Sequence, residues 1–253
     1  MYSIIDVPNL PNTKVKSLLI GSDYVNLIED TLQTFGIEVI KLPINTAVSL
    51  YLRSHADLMA VHIGGDKLVL ARELGKNNIV NILTNRGLHV IFSKTSLGEA
   101  YPADIGLCAA FAGTRVFHNL NYIDSAVTEN IDSGILFTHI NQGYAKCSIC
   151  VVDENSIITS DHGVRVAAAG FGLDVLFIEN LEIELPGYDN GFIGGASFKI
   201  ARDKMAFTGH FKSEAIRERL ETFLSERGVS AVYLTTLPIF DIGGAIPLFE
   251  VNE

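Results

Sequence analysis

Cysteine is scarce in this chain. It occurs at only Cys108, Cys147 and Cys150, too few and too odd in number for a disulfide framework. That excludes the small disulfide-stapled class and sets the expectation of a reducing, cytoplasmic location. Long apolar runs are missing, and the opening stretch Met1 to Pro8 has no basic segment followed by an apolar one. Neither a membrane span nor a signal peptide is therefore expected. Positive charge is short as well. There are 19 Lys and Arg against 29 Asp and Glu, for a net charge of −10, and no basic cluster. Without that electrostatic footprint, nucleic acid and anionic membranes are excluded as main partners. No Pro/Gly/Ser-rich linker or charge block divides the chain, so residues 1–253 are expected to form one domain. A hydrophobic content of 48% is enough for a large core.

What the chain does contain is repetition. Five times a glycine closes a helical stretch and opens a short apolar strand: Gly36-Ile-Glu-Val-Ile, Gly87-Leu-His-Val-Ile, Gly134-Ile-Leu-Phe, Gly172-Leu-Asp-Val-Leu and Gly228-Val-Ser-Ala-Val. Glycine tolerates the left-handed conformation that ends helices, and the β-branched run after it favours a strand. The clearest of the preceding helices has Ile216, Leu220, Phe223 and Leu224 at helical spacing behind an N-cap at Ser213. In the first unit Asp23 is expected to cap a helix whose apolar face is Val25, Ile28, Leu32 and Phe35.

Four helices are preceded by a hairpin pattern, with first runs opening at Asp57, Asp104, Lys146 and Phe192. The first unit has no hairpin of its own, while an orphan strand starts at Asp241 near the C-terminus. The economical arrangement is an α/β propeller of five blades in which the last strand completes the first unit and hides a strand edge.

Equivalent units would bring Asp57, Asp104, Lys146, Phe192 with Asn190, and Asp241 together near the pseudo-symmetry axis. The returning hairpin strands would add Arg72, Glu73, His118, Asn119, Ser160, Asp161 and His210 to the same rim. Carboxylates crowded into a concave site raise one another's pKa or recruit a cation. The bland reading is that each Asp caps a turn or pairs with Arg115, Lys146 or Lys199.

With five such units, and with Gly143-Tyr-Ala-Lys-Cys-Ser-Ile-Cys and Gly191-Phe-Ile-Gly-Gly-Ala-Ser as signatures, the sequence resembles the pentein superfamily of guanidino-group-modifying enzymes, in particular an uncharacterised bacterial branch. That resemblance implies a five-bladed α/β propeller binding a cationic guanidine at its centre, with Asp104 placed like the carboxylate that grips the guanidinium. It also implies a general acid/base His in the fourth unit and a nucleophilic Cys on the last strand. Here those places are held by Ala145, and by Ala245 and Ile246. Both usual reacting groups are missing.

Cys147 and Cys150 have CxxC spacing, but on a strand residues three apart face opposite sides, so neither a metal nor a redox role is assigned to the pair. Cys147 alone, beside Lys146 and near Asp161 and His162, is the candidate relocated nucleophile, with Asp161 or His162 as base. A small buried core residue is its bland reading. The expectation is a ligand-binding domain for a small cationic or amide-bearing metabolite, with Asp57, Asp104, Lys146, Asn190, Phe192, Asp241, His118 and His210 as ligand-binding residues. No cofactor is expected, and a homo-oligomer is left open. The alternative is a non-enzymatic scaffold, like the translation initiation factor that has this fold.

Overall fold

The computed structural model describes residues 1–179 and 181–252. Its strands form five small sheets. The first has the order β1 (Tyr2–Ile4), β16 (Ile246–Val251), β2 (Val15–Gly21), β3 (Glu38–Leu42). The second is β4 (Ala60–His62), β5 (Lys67–Leu70), β6 (His89–Phe92), and the third is β7 (Ala110–Ala112), β8 (Arg115–His118), β9 (Leu136–His139). The fourth is β10 (Ile149–Asp153), β11 (Ser156–Thr159), β12 (Asp174–Phe177), and the fifth is β13 (Ser197–Ala201), β14 (Lys204–Phe207), β15 (Ser230–Tyr233).

One plan repeats in the sheets. An antiparallel pair comes first, and a helical crossover then lays a third strand parallel to the second, as in β10–β11 and β11–β12. The crossovers are α1 (Val25–Thr34), α3 (Ile79–Thr84), α4 (Ser125–Asn130), α6 (His162–Gly170) and α7 (Glu214–Ser225). The expected completion of the first unit is present: β16 pairs antiparallel with β2, which pairs parallel with β3. First and second strands such as β7 and β11 are buried along their whole length, whereas third strands such as β6 and β9 carry exposed residues.

The core lies between sheets. Leu19, Ile40 and Phe249 of the first sheet pack with Leu68 and Leu70 of the second, whose Val61 and Val69 meet Phe111 and Val116 of the third. Ala110 and Phe117 of the third meet Ile149 and Ile157 of the fourth. Cys150 and Ile158 of the fourth join Met205 and Phe207 of the fifth. Finally, Phe198 and Ile200 of the fifth pack with Leu18 and Ile20 of the first. Among the described residues no helix is long and apolar enough to cross a membrane.

Local expectations hold unevenly. Ser213 caps α7, accepting from Ile216 N, and Gly36, Gly87, Gly172 and Gly228 all have positive φ. Gly134 does not, because α4 ends at Asn130 and the chain leaves it extended at Ile131. Asp23 is not the cap of α1; it lies inside a 3-10 turn and pairs with Arg53 at 3.1 Å. The first strands also begin later than the sequence suggests. Asp57 lies in the single helical turn α2 (Ala56–Met59), and Lys146 and Cys147 lie in α5 (Ala145–Ser148), each directly before its strand.

Candidate functional site

The segments before the first strands carry the site, and their backbones hold one another. Asp57 N donates to Gly243 O at 3.2 Å, Lys146 N to Cys108 O at 3.2 Å, and Gly195 N to Cys147 O at 2.9 Å. Gly195 O in turn accepts from Ile242 N and Gly244 N. Close approach requires the glycines. A Cβ on Gly195 would fall on the Asp241 carboxylate, and one on Gly243, at φ +69°, would fall on His55.

Three donor atoms, from His55, Asp57 and Cys147, lie within 4.8 Å of one another, and all three residues are buried. The Cys147 thiol donates to Asp57 Oδ2, and the Cys108 thiol lies 3.8 Å from the same oxygen. Burial pushes the Asp57 carboxyl up to about 6, although His55 and the Cys147 hydrogen bond act the other way. The adjoining Cys108 thiol, then burial, then the Asp57 and Asp241 carboxylates, hold the Cys147 thiol well above its usual range. Two atoms in the cluster, His55 Nε2 and Asp57 Oδ1, are buried and find no hydrogen-bond partner among the described residues. Asp241 is fixed by backbone: Oδ2 accepts from Phe192 N at 2.9 Å and Oδ1 from Gly243 N at 2.8 Å.

A cavity of about 150 Å³ opens against this cluster. Its polar lining is His55, Cys147, Asn190 and Asp241; its aromatic walls are Tyr144, Tyr188 and Phe192, with Leu52 and Leu185 completing it. Among the described residues no Lys or Arg lines it.

The residues singled out from sequence are distributed as follows. Cys147, Asn190, Phe192 and Asp241 line the cavity, and Asp57 stands behind Cys147. Asp104 is one step away, accepting from the Tyr144 hydroxyl at 2.7 Å while its Oδ1 is buried and unpartnered. Lys146 is buried, with Nζ 3.4 Å from Gly194 O. His118 is buried between the carbonyls of Asn119 and Ile105, each at 2.8 Å. Asp161 caps α6, accepting from Val164 N and from Gln142 Nε2. His162 is exposed, against Arg165 and the Phe177 ring, and His210 is exposed and stacked on Tyr233. Cys150 points away from Cys147 and touches Met205 in the core, so the CxxC pair does not converge.

His55, Cys108, Tyr144 and Tyr188 were not foreseen. A signal for two of them existed. Counting back five residues from β4, β7, β10, β13 and β16 gives His55, Ile105, Tyr144, Phe192 and Asp241, of which four line the cavity. Counting back two gives Leu58, Cys108, Cys147, Gly195 and Gly244. Treating Asp57, Asp104, Lys146, Phe192 and Asp241 as equivalent mixes registers, because Phe192 and Asp241 stand five residues before their strands, Asp57 and Lys146 three, and Asp104 six.

The fold is similar to that of solved pentein enzymes. An amidinotransferase of saxitoxin biosynthesis from Microseira wollei superposes with a TM-score of 0.58 at 7% identity, over 97% of each chain. The inosamine-phosphate amidinotransferase of Streptomyces griseus gives 0.60 at 9% identity, also over 97% of each. The DDAH of Pseudomonas aeruginosa, determined with citrulline, gives 0.53 at 9% identity, over 92% of this chain and 96% of that one. The chain itself belongs to a family of unknown function, DUF6873, whose profile matches residues 19–246. A comparison with curated proteins finds no match.

Proposed function

We propose that the five sheets close into a five-bladed ring, and that its central cavity binds a small cationic metabolite bearing a guanidino or amide group. In this reading Cys147 is the nucleophile of an unconventional C–N hydrolase. The ring is supported by the core clusters, which pair each sheet with the next and the fifth with the first. The function is carried by one observation: a thiol, an imidazole and a carboxylate from three separate segments line a cavity that no Lys or Arg enters.

The chemistry follows from the groups present. Asp241 uses one lone pair of each oxygen on backbone N–H groups and keeps others for the N–H donors of a ligand. The faces of Tyr144, Tyr188 and Phe192 favour a cation, and Asp104 steadies Tyr144 through its hydroxyl. A cation in the cavity makes the Cys147 thiolate less costly. The sulfur attacks the ligand's central carbon as its proton passes to Asp57. The C–N bond to the leaving amine breaks, the amine takes up that proton through the Asp57 and His55 pair, and water then releases the product from sulfur. Asp161 and His162 stay on the rim, where Gln142 ties Asp161 to the Tyr144 segment. Lys146, Asn190, Phe192 and His118 divide between the cavity wall and its support, whereas His210 lies outside it, stacked on Tyr233. A cavity walled mainly by aromatic and aliphatic side chains, with a few convergent polar groups, favours this reading over a purely structural ring.

The test is a thermal-shift screen of guanidines, amidines and amides against wild type, Asp241→Asn and Cys147→Ala. A stabilising ligand should be lost in Asp241→Asn but kept in Cys147→Ala, which should form no product. A folded wild-type protein that no member of these classes stabilises would sink the proposal.

A further inference from the structure

The His55, Asp57 and Cys147 cluster is expensive as it stands. A carboxylate is buried beside two thiols, and the neighbouring Lys146 directs Nζ to Gly194 O rather than to the carboxylate. Buried polar groups ordinarily have partners, yet Asp57 Oδ1 and His55 Nε2 have none. These are independent orphans on two residues of the same cluster, and a donor atom from each residue lies within 4.8 Å of the others and of Cys147 Sγ. One group that satisfies all three at once is a metal ion.

The donor set selects the ion. Thiolate, imidazole and carboxylate together suit Zn²⁺, whose tetrahedral sites draw on these three ligand types, whereas Mg²⁺ and Ca²⁺ take all-oxygen shells. Two of the ligand residues, His55 and Cys147, line the cavity, and Cys108 does not. A fourth coordination position therefore faces the cavity, with Cys108 placed beside the Asp57 ligand.

We propose that His55, Asp57 and Cys147 form a Zn²⁺ site with three protein ligands and an open position towards the central cavity. This does not rest on the guanidine reading, since a metal titration of the protein alone succeeds or fails whatever small molecule the cavity takes. The two are nevertheless linked: a bound metal occupies the Cys147 sulfur and blocks it as a nucleophile.

The experiment is a Co²⁺ titration of chelator-treated protein, with Zn²⁺ displacement, on wild type, His55→Asn, Asp57→Asn, Cys147→Ser and the control Cys150→Ser. Wild type and Cys150→Ser should bind one equivalent with a thiolate-to-metal charge-transfer band and tetrahedral visible bands. Removing a ligand should weaken binding by at least about 100-fold, and Cys108→Ser, which changes only a neighbour, by about 10-fold. Zn²⁺ should raise Tm in wild type but not in Cys147→Ser. Absence of binding, binding without the charge-transfer band, or unchanged affinity in His55→Asn and Cys147→Ser would overturn the site. Should the ligand variants fail to fold, alkylation of the wild-type protein decides. Zn²⁺ protects Cys147 from iodoacetamide if the site exists, and leaves its labelling unchanged if it does not. Thermal-shift hits that persist in the presence of chelator would uphold the ligand proposal even where the metal site fails.

Discussion

Cys147 donates its thiol proton to Asp57, ninety positions earlier in the chain. Two residues on different sheets' entry turns thus share one buried bond, which makes their contributions to stability interdependent.

Removing the thiol leaves Asp57 Oδ2 buried with only the distant Cys108 sulfur as donor. Cys147→Ala is expected to cost about 1–3 kcal/mol, the usual penalty for an orphaned buried acceptor. Asp57→Ala removes the carboxylate together with its own desolvation cost. The double variant should therefore lose less than the sum of the two single variants. Urea denaturation of all four proteins measures this coupling, and strict additivity would mean that the contact contributes nothing.

The glycines of the site make a sharper prediction. Gly195→Ala places a Cβ on the Asp241 carboxylate, and Gly243→Ala places one on His55 at a positive φ. Each should destabilise by about 1–3 kcal/mol, as overpacking does, and each should distort the cavity. Gly134 has nothing within 4 Å of its would-be Cβ and no positive φ. Gly134→Ala should therefore be neutral or stabilise by up to about 1 kcal/mol. The comparison needs only three melting curves.

His62 gives the pH dependence a sign. Its ring is buried, with Nε2 on Gly65 O at 2.8 Å and Nδ1 unpartnered. Burial lowers its pKa below the ordinary 6.5, against the pull of the Gly65 carbonyl, Asp6 and Asp66. Burial lowers His118 in the same way. A group with a depressed folded pKa binds its proton more readily when unfolded. Stability is thus fully present above pH 6.5 and is lost as pH falls from there towards the folded pKa. His62→Gln should flatten that slope by up to about 1.4 kcal/mol per pH unit, the value for one proton. Chemical denaturation between pH 7 and pH 5 is the measurement, and an unchanged slope would assign the effect elsewhere.

Architecture was legible in the sequence because it is written in local signals. Glycines at helix ends, β-branched runs after them and a missing first hairpin each report on a few neighbouring residues, and together they dictate five equivalent sheets with β16 completing the first. The site was only half legible, since it depends on register. Asp241 and Phe192 share the position five residues before a strand, whereas Asp57 and Lys146 sit three before. That difference decides which side chain meets the cavity, and it appears only once a helical turn is known to precede β4 and β10, and turns and bends the other three strands. Asp161 and His162 were chosen for nearness in a hairpin. The N-cap demand of α6 and the aromatic face of Phe177 claim them instead.

The closing strand offers the last test. β16 lies between β1 and β2, and Phe249 is fully buried there, packed edge-on to Tyr2 and clustered with Leu68 and Leu70 of the second sheet. Phe249→Ala should cost about 3–5 kcal/mol, as large-to-small changes in a core do. Leu136→Ala, at an exposed position of β9, should stay within about 0.5 kcal/mol. The form of the transition is as informative as its midpoint. Five core clusters each join two sheets, so loosening one sheet withdraws packing from two of them and cannot remain local. Phe249→Ala should accordingly unfold in a single transition, with fluorescence and circular dichroism tracing the same curve at a lower midpoint. Two separated transitions would mean that β16 holds only its own sheet, and that the five sheets do not support one another as a closed ring.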